Sequence, residues 1–112
     1  MSYIVIARDG TDPEAKARRL AARPAHLERV GPFVERATVL LGGAILDEVG
    51  DMVGSVVLAD FATREEVDAW VAEDPYVTGG VWKEIEIRDF RPAVGAWMPQ
   101  DQEVRVRRIR PG

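Results

Sequence analysis

A chain of 112 residues and 12.4 kDa is the size of one domain, long enough to bury a core without disulfide or metal staples. Hydrophobic residues at 46% and charged residues at 30% exclude a disordered chain, and the lack of cysteine excludes disulfides, thiolate nucleophiles and Cys-based zinc sites. A net charge of −4 argues against a general nucleic-acid binder, and a single histidine, His26, excludes a multi-histidine metal site within one chain.

In chain order, Tyr3 to Arg8 is apolar and β-branched and predicts a buried first strand. Ser2 to Ala7 is too short an apolar run for a signal peptide, no stretch approaches the length of a membrane span, and the missing cysteines fit a cytoplasmic protein, which is expected. Asp9-Gly10-Thr11-Asp12-Pro13 is turn chemistry leading into a helix, with Asp12 as its N-cap and Pro13 in the first position. Helix is expected from about Glu14 to Ala22. Arg23-Pro24 then predicts a kink or restart, because the residue before proline is pushed toward extended geometry. Beyond it, Leu27, Val30 and Val34 form an apolar helical stripe. His26 shares a side with Val30 and Phe33, at the edge of that stripe. Gly31-Pro32 is expected to bend or end this helix early.

Thr38 to Leu46 reads as a strand, with Gly42-Gly43 marking a bulge or a close backbone approach. Asp47 to Asp51 is a hairpin turn, and Met52 to Phe61 is the returning strand. Thr63-Arg64-Glu65-Glu66 matches a capping box ahead of a helix whose apolar stripe is Val67, Trp70 and Val71. Asp74-Pro75 starts a further helix. Lys83 to Phe90 alternates, Ile85 and Ile87 facing one way and Glu84, Glu86 and Arg88 the other, as in a half-buried antiparallel strand. The order β-α-β-β-α-β predicts an α+β, ferredoxin-like fold with one antiparallel sheet and helices on one face. The other face then needs cover, and pairing with a second copy is the simplest way to provide it. Residues 1–92 form the expected domain. Residues 93–112 form an Arg-rich extension, with Arg105, Arg107, Arg108 and Arg110, that could order on a partner subunit. No aromatics are interleaved among those arginines, so neither DNA nor RNA is expected as a partner.

Four segments carry a family likeness: Tyr3 to Asp9, Arg23-Pro24-Ala25-His26-Leu27, Gly54-Ser55-Val56-Val57 and Asp74-Pro75-Tyr76-Val77. In this order and spacing the chain resembles YciI-like (YCII domain) proteins from Met1 to about Phe90. The resemblance implies a dimeric α+β barrel built from ferredoxin-like subunits. It also implies a pocket holding a His–Asp pair, which on this chain is His26 and Asp74. The family includes dehydrochlorinases of substituted hydroxyhydroquinones, although most members have no assigned reaction. The chain departs from the pattern at Gly43-Ala44, where Gly-Pro is common, in its short hairpin, at Gly31-Pro32 and in the arginine-rich extension.

A neutral imidazole beside a carboxylate suits abstraction of a proton from an acidic C–H or O–H, followed by isomerisation, cyclisation or loss of a leaving group. Each candidate also has a structural explanation. His26 fits a satisfied histidine on a helix edge. Asp74 fits a helix cap. Arg23 suits an anionic ligand group or a surface ion pair. Ser55, after Gly54, suits ligand binding or close backbone packing. Tyr76 and Trp82 suit a pocket wall or the core. Two functions fit these residues: a small enzyme that needs no cofactor or metal, acting on a small molecule, with an aromatic one permitted, and a non-catalytic ligand-binding or dimerisation domain. In both, a homodimer or higher homo-oligomer is expected.

Overall fold

The computed structural model describes residues 1–96; residues 97–112, with Trp97 and the tail arginines, lie outside the described residues. Seven elements follow one another: β1 (Ser2–Asp9), α1 (Ala15–Glu35), β2 (Val39–Leu46), β3 (Met52–Asp60), α2 (Arg64–Ala72), α3 (Pro75–Thr78) and β4 (Trp82–Phe90). The strands lie in the order β2-β3-β1-β4, and every neighbouring pair is antiparallel. This is the ferredoxin-like α+β fold expected from the element order.

The period-2 pattern of β1 decides which face is which. Tyr3, Val5, Ala7 and Asp9 are buried against the helices, while Ile4 and Ile6 point the other way and stay half-buried. Register carries this alternation across the sheet. Val5 lies opposite Val57 and Ile87, so all three share the helix-covered face, whereas Ile6 lies opposite Val56 and Glu86 on the uncovered one. The core closes where Phe33, Phe61 and Trp70 meet, with ring centroids 5.5 to 6.4 Å apart. The outer strand β4 carries Lys83, Glu84, Glu86, Arg88 and Asp89, charges that discourage unwanted edge pairing.

Several sequence expectations need correction. Helix α1 neither restarts at Pro24 nor ends at Gly31-Pro32; it runs unbroken for 21 residues. Each proline removes one backbone donor, but side chains on both sides of Pro24 tie the helix to the rest of the fold. Arg19 is anchored before it, and His26 and Arg29 after it. Tertiary contacts thus outweigh the local penalty. The N-cap is Glu14, without a side-chain bond, and not Asp12. Asp12 stands two residues earlier, where it accepts the Glu14 N–H at 3.2 Å and grips the Arg18 guanidinium at 2.6 and 2.8 Å. That grip holds the Asp12 carboxyl well below the usual carboxylate range. The capping box is half made: Thr63 accepts the Glu66 N–H at 3.2 Å. The register shifts of β2 fall at Val39/Leu41 and Ile45/Leu46, and not at Gly42-Gly43. A side chain at Gly42 would meet only Val57 at 3.9 Å and one at Gly43 nothing, so these glycines clear space and do not admit a neighbouring backbone.

The exit of α1 was not foreseen. Ala37 has φ +58°, the Ala37 N–H donates to the Val34 carbonyl, and the Thr38 N–H donates to the Phe33 carbonyl at 2.8 Å. This is a Schellman ending with alanine in the left-handed position that glycine usually fills. The left-handed conformation costs a non-glycine residue about 1–2 kcal/mol. Ala37→Gly should therefore raise stability by about 0.5–1 kcal/mol, after the entropy glycine adds to the unfolded chain. A higher urea midpoint with an unchanged slope is the expected result; a lower midpoint would contradict it.

Candidate active site

One face of α1 carries Arg19, Arg23, His26 and Val30, at spacings of four, three and four residues. This face looks toward β2 and β3 across a cavity of about 310 Å³, at the lower end of ligand-pocket sizes. Its walls include Ser55 and Val57 from β3, Tyr76 from α3, and the bare backbone of Gly42 and Gly43 from β2. Leu27 and Val34, both exposed, add an apolar flank. A wider hollow of about 430 Å³ lies between the Gly10–Pro13 loop and the β2–β3 hairpin, away from His26 and Tyr76. The smaller cavity gathers the chemistry and is the candidate site.

Asp74 lies behind it, 1% exposed. It caps α3, its Oδ1 accepting the Tyr76 N–H at 2.8 Å. The same carboxylate stands 2.8 and 3.0 Å from His26 Nδ1, and Arg29 reaches its Oδ2 at 3.4 Å. Capping and pairing with histidine are thus made by one side chain at once. With Nδ1–H donating to the carboxylate, the lone pair of a neutral His26 sits on Nε2, which has no hydrogen-bond partner among the described residues. The imidazole stacks on Tyr76, centroids 4.0 Å apart and planes 19° from parallel, with Trp82 edge-on at 6.1 Å. The ring is held from three sides.

Of the residues singled out by sequence, Arg23, His26, Ser55 and Tyr76 line the cavity, and Asp74 supports it from below. Burial pushes the Tyr76 phenol up, against the opposing pull of the Arg19 and Arg23 charges, so it stays protonated at neutral pH. Sequence reasoning missed the neighbouring cluster. Arg19, 3% exposed, donates from Nη1 to both Asp9 oxygens at 2.9 and 3.0 Å and from Nη2 to Ser55 Oγ at 2.8 Å. Its guanidinium also lies 4.6 Å from the Tyr76 ring centre. Trp82 Nε1 donates to Ser55 Oγ at 3.2 Å. The signals were present: Asp9 continues the Tyr3-Val5-Ala7 alternation onto the helix face, and Arg19 lies two helical turns before His26. Among the described residues, no group of three or more His, Asp or Glu side chains converges to hold a metal. No described helix is long and apolar enough to cross a membrane.

Residues 1–91 match the YCII-related domain. The chain belongs to that family. Protein YciI of Escherichia coli is 33% identical over 97 residues, covering 81% of this chain and 97% of the relative. An uncharacterized protein of Haemophilus influenzae matches with the same identity and coverage. Among solved structures, the 5-chloro-2-hydroxyhydroquinone dehydrochlorinase TftG of Burkholderia phenoliruptrix, in complex with 2,5-dihydroxybenzoquinone, superposes with a TM-score of 0.73. That likeness covers 81% of this chain and 94% of TftG at 23% identity, and it shows a common fold.

The buried Asp9–Arg19 pair generates a stability prediction. Arg19→Ala leaves a buried carboxylate without its cation and should cost about 3–5 kcal/mol, read by urea denaturation. The double variant Asp9→Val/Arg19→Met, which removes both charges, should recover much of the loss. A single variant within about 1 kcal/mol of wild type would show that the pair does not hold the site together.

Proposed function

We propose that this protein is a small enzyme that moves a proton on a small molecule, with His26 as general base. The observation that carries the reading is the 2.8 Å contact of His26 Nδ1 with the buried Asp74, which leaves the basic Nε2 free on a ring that lines the cavity. The base takes a proton from an acidic C–H or O–H of the ligand, and Asp74 stabilises the resulting imidazolium. The electron pair left behind either expels a leaving group from the ligand or is protonated at another atom, with His26 returning the proton. Arg23 favours an anionic group, and Tyr76 and the apolar flank favour a flat one. These steps draw only on side chains of the chain itself. TftG, which shares this fold, is a dehydrochlorinase, and that supports this class of reaction, elimination in particular.

The reading extends to assembly and domain layout. The uncovered sheet face presents half-buried Ile4, Ile6, Val56 and Leu58, which a second copy would cover. We read the protein as a cytoplasmic homodimer whose domain spans residues 1–92, with the Arg-rich extension outside it. Leu58→Asp should convert dimer to monomer in light scattering; a wild-type monomer at working concentration would sink the dimer.

The catalytic reading is tested with 5-chloro-2-hydroxyhydroquinone, following chloride release and solvent-deuterium exchange by NMR. Wild type should accelerate one of the two, and His26→Ala should lose about 100-fold or more. Equal rates in wild type and His26→Ala would remove the histidine from the chemistry. Saturable binding without turnover would favour the non-catalytic ligand-binding domain.

A further inference from the structure

We propose that Ser55 is an obligate hydrogen-bond donor to the ligand, fixed in that polarity by Arg19 and Trp82, so that the cavity selects a molecule presenting an acceptor oxygen. A serine hydroxyl has two lone pairs and one proton. Ser55 Oγ receives an N–H from Arg19 Nη2 at 2.8 Å and another from Trp82 Nε1 at 3.2 Å. Guanidinium and indole nitrogens donate only, so neither can accept the serine proton. Both lone pairs are filled. No acceptor for the O–H exists among the described hydrogen bonds, although Ser55 is only 4% exposed. A buried donor without a partner is costly, and the open direction left to it is the cavity that Ser55 lines.

The surroundings strengthen this donor. Arg19 is locked by two bonds to the buried Asp9, so it cannot swing away, and its positive charge polarises the hydroxyl it donates to. Asp9 and Arg19 thus act as positioning residues, and Ser55 is the group that meets the ligand. An acceptor there is a carbonyl oxygen, a phenolate or an enolate. Ammonium and amide N–H groups are rejected at that point, since donor would face donor. Resting on the proton-transfer reading above, this places a donor for developing negative oxygen in the same cavity as the base, as removal of a proton next to a carbonyl requires. Gly42 and Gly43 keep the facing wall bare, leaving room for a flat ring between strand and helix.

The test uses the full chain and 2,5-dihydroxybenzoquinone, whose oxygens accept, with binding followed by tryptophan fluorescence. Ser55→Ala should weaken binding about tenfold or more, and Ser55→Thr, which keeps the hydroxyl, should stay within about threefold of wild type. The single imidazole NMR signal of His26 checks that each variant is folded. A neutron structure of the wild type should place the Ser55 deuteron toward the cavity. Equal affinity in Ser55→Ala, no saturable binding to wild type, or a deuteron directed at a protein acceptor overturns the proposal. Binding that follows Ser55 without any deuterium exchange into ligands leaves the proposal standing and removes the proton-transfer reading instead.

Discussion

A carboxylate that is 1% exposed has to find its partners inside the protein, and Asp74 finds them on three fronts. It accepts the backbone N–H that starts α3, the imidazole of His26 on α1, and a longer contact from Arg29 one turn further along α1. Arg29 in turn donates to the Trp70 carbonyl at the end of α2. One buried negative charge therefore fastens all three helices, and the cost of leaving it unpaired keeps them in register. The continuity of α1 through Pro24 follows from the same constraint. A break there would uncouple His26 and Arg29 from Arg19, and two buried charges would lose partners at once.

The second buried charge pair, Asp9–Arg19, plays the corresponding role between helix and sheet. Asp74 orients the imidazole, and Arg19 orients the hydroxyl. Tyr76 lies between the two systems, stacked on His26 and under the Arg19 guanidinium. The cavity thus has a polar end whose side chains have little freedom to turn, and an apolar flank that is exposed and undemanding. This division suits a site that fixes the reacting part of a small ligand and tolerates variation elsewhere. The two constellations occupy one surface because α1 carries both anchors on one face, seven residues apart.

Much of the fold was legible because its signals are local. Alternation identifies the strands, Thr63 and Asp74 mark helix starts, and the element order leaves few ways to close an antiparallel sheet under two helical segments. The misreadings were local penalties overruled at a distance. Pro24 and Gly31-Pro32 look like breaks, yet a helix pinned by buried ion pairs carries them. Ala37 gives no hint of a left-handed turn, because the chain direction after α1 demands it, and alanine complies at a cost. In the site, His26, Asp74, Arg23, Ser55 and Tyr76 were named from a resemblance and from residue chemistry. Arg19 and Asp9 passed for ordinary helix and turn residues, and Trp82 was read as pocket wall or core.

By itself the sequence determined the α+β class, the strand faces, the caps at Thr63 and Asp74 and the single imidazole through which any histidine chemistry must pass. These depend on period, residue type and composition, which are properties of a linear string. Only the tertiary structure decided that Asp74 is cap and histidine partner together, and that Gly42-Gly43 clears a cavity wall. It alone decided that both lone pairs of Ser55 are taken. The histidine pairing and the filled serine rest on contacts between residues 27 to 48 positions apart in the chain, and burial fixes such contacts by penalising every polar group left without a partner.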